Sequence, residues 1–263
     1  MANELVARYR DCVRLNWNAL LLALQGRWLT KSDLSDSYDR IAETYDSRWL
    51  EQLKPVALGL LEHIPAFGPG TVLDLGCGTG FSTSYLAKQA EGPVMGVDIS
   101  NGMLDKARAA PGAGKISYVQ ADMLRFLKRQ ATGSASLIFS GWAIGYSKPG
   151  QVTKQAARVL CPGGVFAFVV NLADSLAPVF RAYRKCMARH PKQLARVMLP
   201  SFPSSHALML GLLNKHGFYL EHEQECLQAI LPPDDAPNLR DWLLGTGVLA
   251  GFDIMLPLHG QGE

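Results

Sequence analysis

Between residues 71 and 171 short apolar runs alternate with stretches of helical period, and no other feature restricts the fold as strongly. The runs are TVLDL (71–75), PVMGVDIS (93–100), ISYVQAD (116–122), ASLIFSG (135–141) and GGVFAFVVN (163–171). The segments at about 81–89, 102–110, 123–130 and 150–160 carry helical spacing. Strands separated by helices of roughly ten residues build βαβ units. The expectation is an α/β chain with a doubly wound, mostly parallel sheet and helices on both faces. Ligands of such sheets bind beyond the carboxyl ends of the strands, where the strand order reverses. The turn Gly76-Cys77-Gly78-Thr79-Gly80 stands at that end of the first strand.

The chemistry of the turn narrows its ligand. A dinucleotide turn requires G-x-G-x-x-G, and Phe81 occupies the third glycine position. No Gly-Lys-Ser/Thr follows, which excludes a P-loop. Asp74, two residues before the first glycine, would repel a pyrophosphate but suits an ammonium or sulfonium group. Asp98, at the end of the second strand, can accept hydrogen bonds from two ribose hydroxyls. Asp122, at the end of the third, can accept from an adenine amino group, with Met103 and Met123 against the adenine faces. Plainer roles exist for all four: helix caps for the two aspartates, core packing for the methionines. Taken together they describe a pocket for an adenosine with a positively charged tail and no phosphate, which is S-adenosylmethionine.

VLDLGCGTG, VMGVDIS with MLDKAR, VQADM and VLCPGGVFAF resemble, in order, the motifs of the class I S-adenosylmethionine-dependent methyltransferases. The likeness runs over about residues 38–171 and resumes at LLNKHGF (212–218). YDRIAETYD (38–46) is similar to the segment ahead of the first motif in the small-molecule branch that contains the ubiquinone- and menaquinone-pathway enzymes. The resemblance implies a Rossmann-like fold and S-adenosylhomocysteine as product. It implies that Gly76, Cys77 and Gly78 approach the methionine part, with Asp74 near its amino group, directly or through water. Asp98 and Ile99 would hold the ribose, and Asp122 and Met123 the adenine. Tyr38 and Tyr45 would close over the methionine end, and the Ser140 backbone would lie near the ammonium.

Methyl transfer from a sulfonium is an in-line displacement, so alignment and a dry pocket matter more than a catalytic triad. The candidate bases are Tyr146, His206 and His216, and the candidate acceptor-pocket residues are Trp142, Tyr146 and Tyr183. SGWAIGYS (140–147) after the fourth strand lacks the Asn/Asp-Pro-Pro-aromatic motif of many nucleic-acid and amide methylases. The reading is methylation of a small molecule, anionic or lipid-like in class. Modification of S-adenosylmethionine itself, or binding without catalysis, are the alternatives.

The flanks are helical. Residues 1–37 read as an N-terminal helical extension, and residues 38–263 as the catalytic domain with a helical cap inserted at about 174–204. The cap segment 175–200 carries cations and no acid, which suits an anionic substrate or membrane surface. Further expectations are a strand at 219–231, a helix at 238–248, and FDIMLPL (252–258) as the one source of a seventh strand. A net charge of +3 gives no argument for nucleic acid. The five scattered cysteines form no disulfide framework or metal motif, which fits a cytoplasmic setting. The opening residues lack a signal-peptide layout, and the longest apolar stretch is too short to cross a membrane. A homodimer and a peripheral membrane contact both fit the N-terminal helix.

Overall fold

The computed structural model describes residues 2–198, 202–232 and 238–257. Five strands, β1 (Thr71–Leu75), β2 (Val94–Asp98), β3 (Ile116–Gln120), β4 (Ala135–Gly141) and β5 (Leu160–Val169), form one parallel sheet in the order β3-β2-β1-β4-β5. The chain moves outward from β1 through β2 to β3, then returns to place β4 on the other side of β1. The order therefore reverses between β1 and β4, and the carboxyl ends of these two strands flank the crevice.

The crossover helices are α4 (Phe81–Ala87), α5 (Asn101–Ala109), α6 (Met123–Arg129) and α7 (Pro149–Val159). Alternation along β1 divides the core. Leu73 and Leu75 pack with Val97, Ile138, Phe126, Leu127, Val152 and Val159 on one face. Val72 packs with Leu61, Leu86, Leu137 and Phe139 on the other. Burial on both faces explains why these strands read as apolar runs rather than alternating ones.

Helices α1 (Ala2–Leu24), α2 (Lys31–Tyr45) and α3 (Glu51–Glu62) precede the sheet, with a five-residue π turn, Asp46–Leu50, between α2 and α3. The expected boundary at residue 37 falls inside α2. A reciprocal capping box starts that helix: Thr30 accepts from the Asp33 amide while Asp33 accepts from the Thr30 amide. After β5 come α8 (Ala177–Arg189), in the expected cap segment, and α9 (His206–Lys215), then α10 (Leu239–Leu244) and α11 (Phe252–Met255).

Three expectations at the C-terminal side are corrected. Residues 219–231 form no strand. Glu221, Glu223 and Glu225 stand at alternate positions there, so one face of such a strand would present carboxylates, and the other offers His222 and Gln224, leaving no apolar row for a core. The segment expected as a seventh strand holds the short helix α11, because Phe252, Met255 and Leu256 are drawn into packing with α8 and its surroundings. The helix expected over 238–248 ends at Leu244, and Gly245 and Thr246 separate it from a 3-10 turn, Gly247–Leu249. Among the described residues no helix is long and apolar enough to cross a membrane.

Candidate active site

Segments at the carboxyl ends of all five strands line one cavity. Gly76 and Gly78 follow β1, Val97 to Ile99 close β2, and Ala121 to Met123 follow β3. Gly141 to Ala143 and Tyr146 lie at β4, and Asn171 to Ala173 follow β5. Helix α2 and the π turn complete the wall with Lys31, Tyr38, Tyr45 and Trp49.

The glycine turn is built for close approach. Gly76 has φ +73°, and a Cβ there would stand 2.2 Å from the Cβ of Ala143. Gly80, at φ +86°, lies against Tyr118 and Ala107. Gly78 also has positive φ, but nothing lies within 4 Å of where its Cβ would be. Two glycines thus serve packing within the fold, and the third leaves open space on the cavity side.

Asp98 anchors the turn. Its carboxylate accepts from the Gly78 amide at 2.9 Å and from the Ser100 amide at 2.9 Å, one bond to each oxygen. Each oxygen keeps a lone pair for a further donor. Burial raises its pKa, and the Ser100 and Gly78 amides oppose the rise. Asp122 accepts from the Arg125 amide as the cap of α6 and pairs with Lys31 at 3.4 Å. The Lys31 ammonium also donates to the Tyr146 carbonyl at 2.5 Å. The helix-cap role weighed for Asp122 is present, and its second oxygen faces the Lys31 ammonium at the cavity wall.

Helix α2 is fastened over the turn. Asp39 accepts from the Ser100 hydroxyl at 2.5 Å and the Gly102 amide at 2.8 Å, and Ser35 donates to the Ile99 carbonyl at 2.8 Å. Asp46, in the π turn, accepts from the Thr79 hydroxyl at 2.6 Å. These bonds carry Tyr38 and Tyr45 onto the cavity, where Tyr45, Tyr38, Tyr146 and Phe202 make a row of edge-to-face rings with centroids 5.4–6.3 Å apart. Burial pushes the phenols of Tyr38, Tyr45 and Tyr146 above their ordinary value, so all three stay neutral at physiological pH.

The cavity brings together eleven residues expected from sequence: Tyr38, Tyr45, Gly76, Gly78, Asp98, Ile99, Met103, Asp122, Met123, Trp142 and Tyr146. Six other expected residues lie outside this lining. Asp74 shares the α4 face of β1 with Val72 and lies behind the turn, accepting from Ser82 at 2.7 Å and Thr83 at 2.6 Å through one oxygen. Its other oxygen is buried without a partner, and burial lifts its pKa to about 6. Cys77 is buried beside it, its thiol pushed up by burial. Ser140 is fully buried and donates to the Leu75 carbonyl at 2.7 Å, tying β4 to β1. Tyr183 packs in the cluster with Trp49 and Leu256 and donates to the Phe252 carbonyl. His206, bonded to Glu223 at 2.9 Å, and His216, at the end of α9, line a second, wider cleft along β5.

Lys31, Trp49, Leu53, Leu176, Phe180, Phe202 and Val248 are wall residues that motif reading missed. Only the Thr30–Asp33 capping pattern signalled that α2 starts early enough to include Lys31. Among the described residues no cluster of His, Cys, Asp or Glu is placed to hold a metal ion.

Comparison with known proteins agrees with this geometry. A family model described as a methyltransferase domain matches residues 72–164. A trans-aconitate 2-methyltransferase of Methylobacterium radiotolerans is 32% identical over 227 residues, which cover 81% of this chain and 81% of the relative. The chain belongs to the S-adenosylmethionine-dependent methyltransferases. The biotin biosynthesis bifunctional protein BioHC of Cellvibrio japonicus is 38% identical over 159 residues, covering 59% of this chain and 30% of that longer relative. In fold, the methyltransferase resembles a chain in the Haloferax volcanii complex of the Trm112 methyltransferase activator with a methyltransferase (TM-score 0.60, 21% identity, 84% of this chain and 93% of that one).

The site fits the family's cofactor. Gly78 leaves room beside the turn, Asp98 presents two oxygens with spare lone pairs, and Met103 and Met123 supply apolar wall in the same cavity as Asp98 and Asp122. When bound, S-adenosylmethionine supplies a sulfonium-activated methyl group.

Proposed function

We propose that this chain transfers the methyl group to a carboxylate oxygen of an acceptor with one acid group and an apolar body. The observation that carries the reading is the composition of the wall beyond the glycine turn. Trp49, Leu53, Trp142, Leu176, Phe180, Phe202 and Val248 are apolar, and Asn171 and Ser175 are the neutral polar groups among them. Lys31 is the only cation among the described lining residues, and Asp122 already engages it.

Among the described lining residues the candidate bases are few: Asp98 is taken up by the glycine turn and Asp122 by Lys31 and its helix cap, the three phenols are held neutral by burial, and both candidate histidines line the other cleft. An acceptor that must lose a proton, a hydroxyl or an ammonium, is therefore poorly served, whereas a carboxylate arrives ionised. One anionic oxygen is balanced by the sulfonium, but each further carboxylate would be buried without a free cation beside it, at a cost of several kcal/mol. The named relative's trans-aconitate is thus a poorer match than a monoacid. The second cleft adjoins the cavity, sharing Trp49, Leu53, Trp142 and Leu176, so apolar side chains stand at the boundary where an elongated acceptor body would extend.

In the transfer the carboxylate oxygen forms a bond to the methyl carbon as the carbon–sulfur bond breaks, and S-adenosylhomocysteine leaves. The test is methyl transfer from label-bearing S-adenosylmethionine to a panel of apolar monoacids, with trans-aconitate and primary amines as comparisons. The reading expects product labile to mild alkali, as an ester is, and higher kcat/KM for the monoacids. Preference for trans-aconitate, or an alkali-stable product, overturns it.

A further inference from the structure

Helix α1 is apolar on two opposite sides, and among the described residues only one of them packs against the protein. Leu15, Ala19 and Leu22 face the protein and pack with Leu194, Val197 and Met255. On the far side Tyr9, Val13, Trp17, Leu20 and Leu24 recur at intervals of three and four and form one stripe. These residues are 75%, 49%, 61%, 49% and 75% exposed, respectively. The stripe spans about 22 Å of helix at the standard rise. Trp28, just past the helix, is also exposed. Arg10, Arg14 and Arg27 are exposed beside it.

Helix α1 packs along α8 and the turn after it, with Asn18 donating to the Pro191 carbonyl at 2.9 Å. The inward side of α8 carries Phe180 to the cavity and Tyr183 to the core. Its outward side exposes Arg181, Arg184, Lys185 and Arg189, followed by exposed Lys192, and the sequence from 175 to 198 contains no acid.

We propose that α1 and the outward face of α8 together dock this methyltransferase on an anionic membrane surface. The stripe would lie in the interfacial layer, with Tyr9, Trp17 and Trp28 at headgroup level and the arginines and lysines against lipid phosphates. Amphipathic aromatic rings favour that layer, and an apolar helix face bordered by cations is the composition of interfacial helices. Charge separates this occupant from a second copy: joining two copies stripe to stripe supplies no acid for the exposed cations of α8, whereas an anionic surface neutralises them. The proposal concerns location and does not rest on the acceptor argued above. Each cation near an anionic surface contributes roughly fivefold to binding, and added salt weakens the contribution.

The test is co-sedimentation of the full-length chain with neutral phosphatidylcholine vesicles and with vesicles containing phosphatidylglycerol. The wild type is compared with a Trp17→Asp/Leu20→Asp variant and an Arg184→Glu/Lys185→Glu variant. Melting temperature and S-adenosylmethionine affinity report whether each variant is folded, and further exposed-face pairs (Val13→Asp/Leu24→Asp; Arg181→Glu/Arg189→Glu) replace any that is not. The expected result is binding to the anionic vesicles, weakened by salt, and reduced about tenfold or more by each folded variant. Three results overturn the proposal: no binding to either vesicle, binding that folded variants retain, or a dimer that the stripe variant dissociates while the wild type ignores vesicles.

Discussion

Asp74 makes the sequence's most informative acid a liability for stability, and the cost can be measured. One carboxylate oxygen takes both hydroxyl bonds, from Ser82 and Thr83, and the other is buried with no partner. Burial raises the group from its ordinary 3.8 to about 6 in the folded protein. Below the unfolded value both states are protonated and nothing is lost. As pH rises through the window between the two values, the unfolded chain ionises first, so folding stability falls and the loss is complete above about 6. The interval corresponds to about 3 kcal/mol. Asp74→Asn keeps an oxygen for the two hydroxyls and removes the titration. Urea denaturation of both proteins from pH 4 to 7.5 should show the variant gaining about 2.5 kcal/mol on the wild type across this range, the first part of the loss lying below pH 4. Any constant penalty for the amide is independent of pH, and Asp98 titrates in both proteins. Parallel stability profiles would refute the burial argument, as would a variant that falls further behind as pH rises.

Three other substitutions test separate parts of the account. Gly76→Ala forces a Cβ into Ala143 at a position with φ +73°, and should cost about 2–4 kcal/mol in denaturant unfolding; a neutral result would contradict the packing of the turn against the β4 loop. Tyr146→Phe should lower kcat less than about tenfold and leave the pH–rate profile in place, since the phenol is held neutral; a loss of a hundredfold or more with a shifted profile would make it a base. Trp142→Ala should raise the acceptor KM at least about tenfold while S-adenosylmethionine affinity changes less than about threefold; the reverse pattern would place Trp142 at the donor end.

The cavity rim around Asp98 and Asp122 was legible because these residues sit at strand ends. Asp98 closes β2 and Asp122 follows β3, and a parallel sheet carries every such end to one rim. Asp74 is harder to place because it lies inside the strand. Period-two alternation places it with Val72, and only the packing of α4 on that face decides that it meets Ser82 and Thr83 instead of the cavity. The acceptor wall was largely illegible. Trp49, Phe180, Phe202 and Val248 come from elements remote in sequence, and each alone reads as ordinary core. Tyr183 illustrates this limit: one helical turn from Phe180, it faces the core rather than the cavity. The 219–231 segment failed for another reason, since its alternating glutamates imitate a half-exposed strand without supplying an apolar face.

The central claim is that the cavity at the β1–β4 reversal holds S-adenosylmethionine through Asp98. Calorimetric titration of the wild type and of Asp98→Ala with S-adenosylmethionine and S-adenosylhomocysteine tests it most directly. The account predicts saturable single-site binding of both ligands by the wild type, weakened about a hundredfold or more in the variant, as expected for loss of two hydrogen bonds to a charged acceptor. No binding by folded wild type, or equal binding by the two proteins, would contradict it.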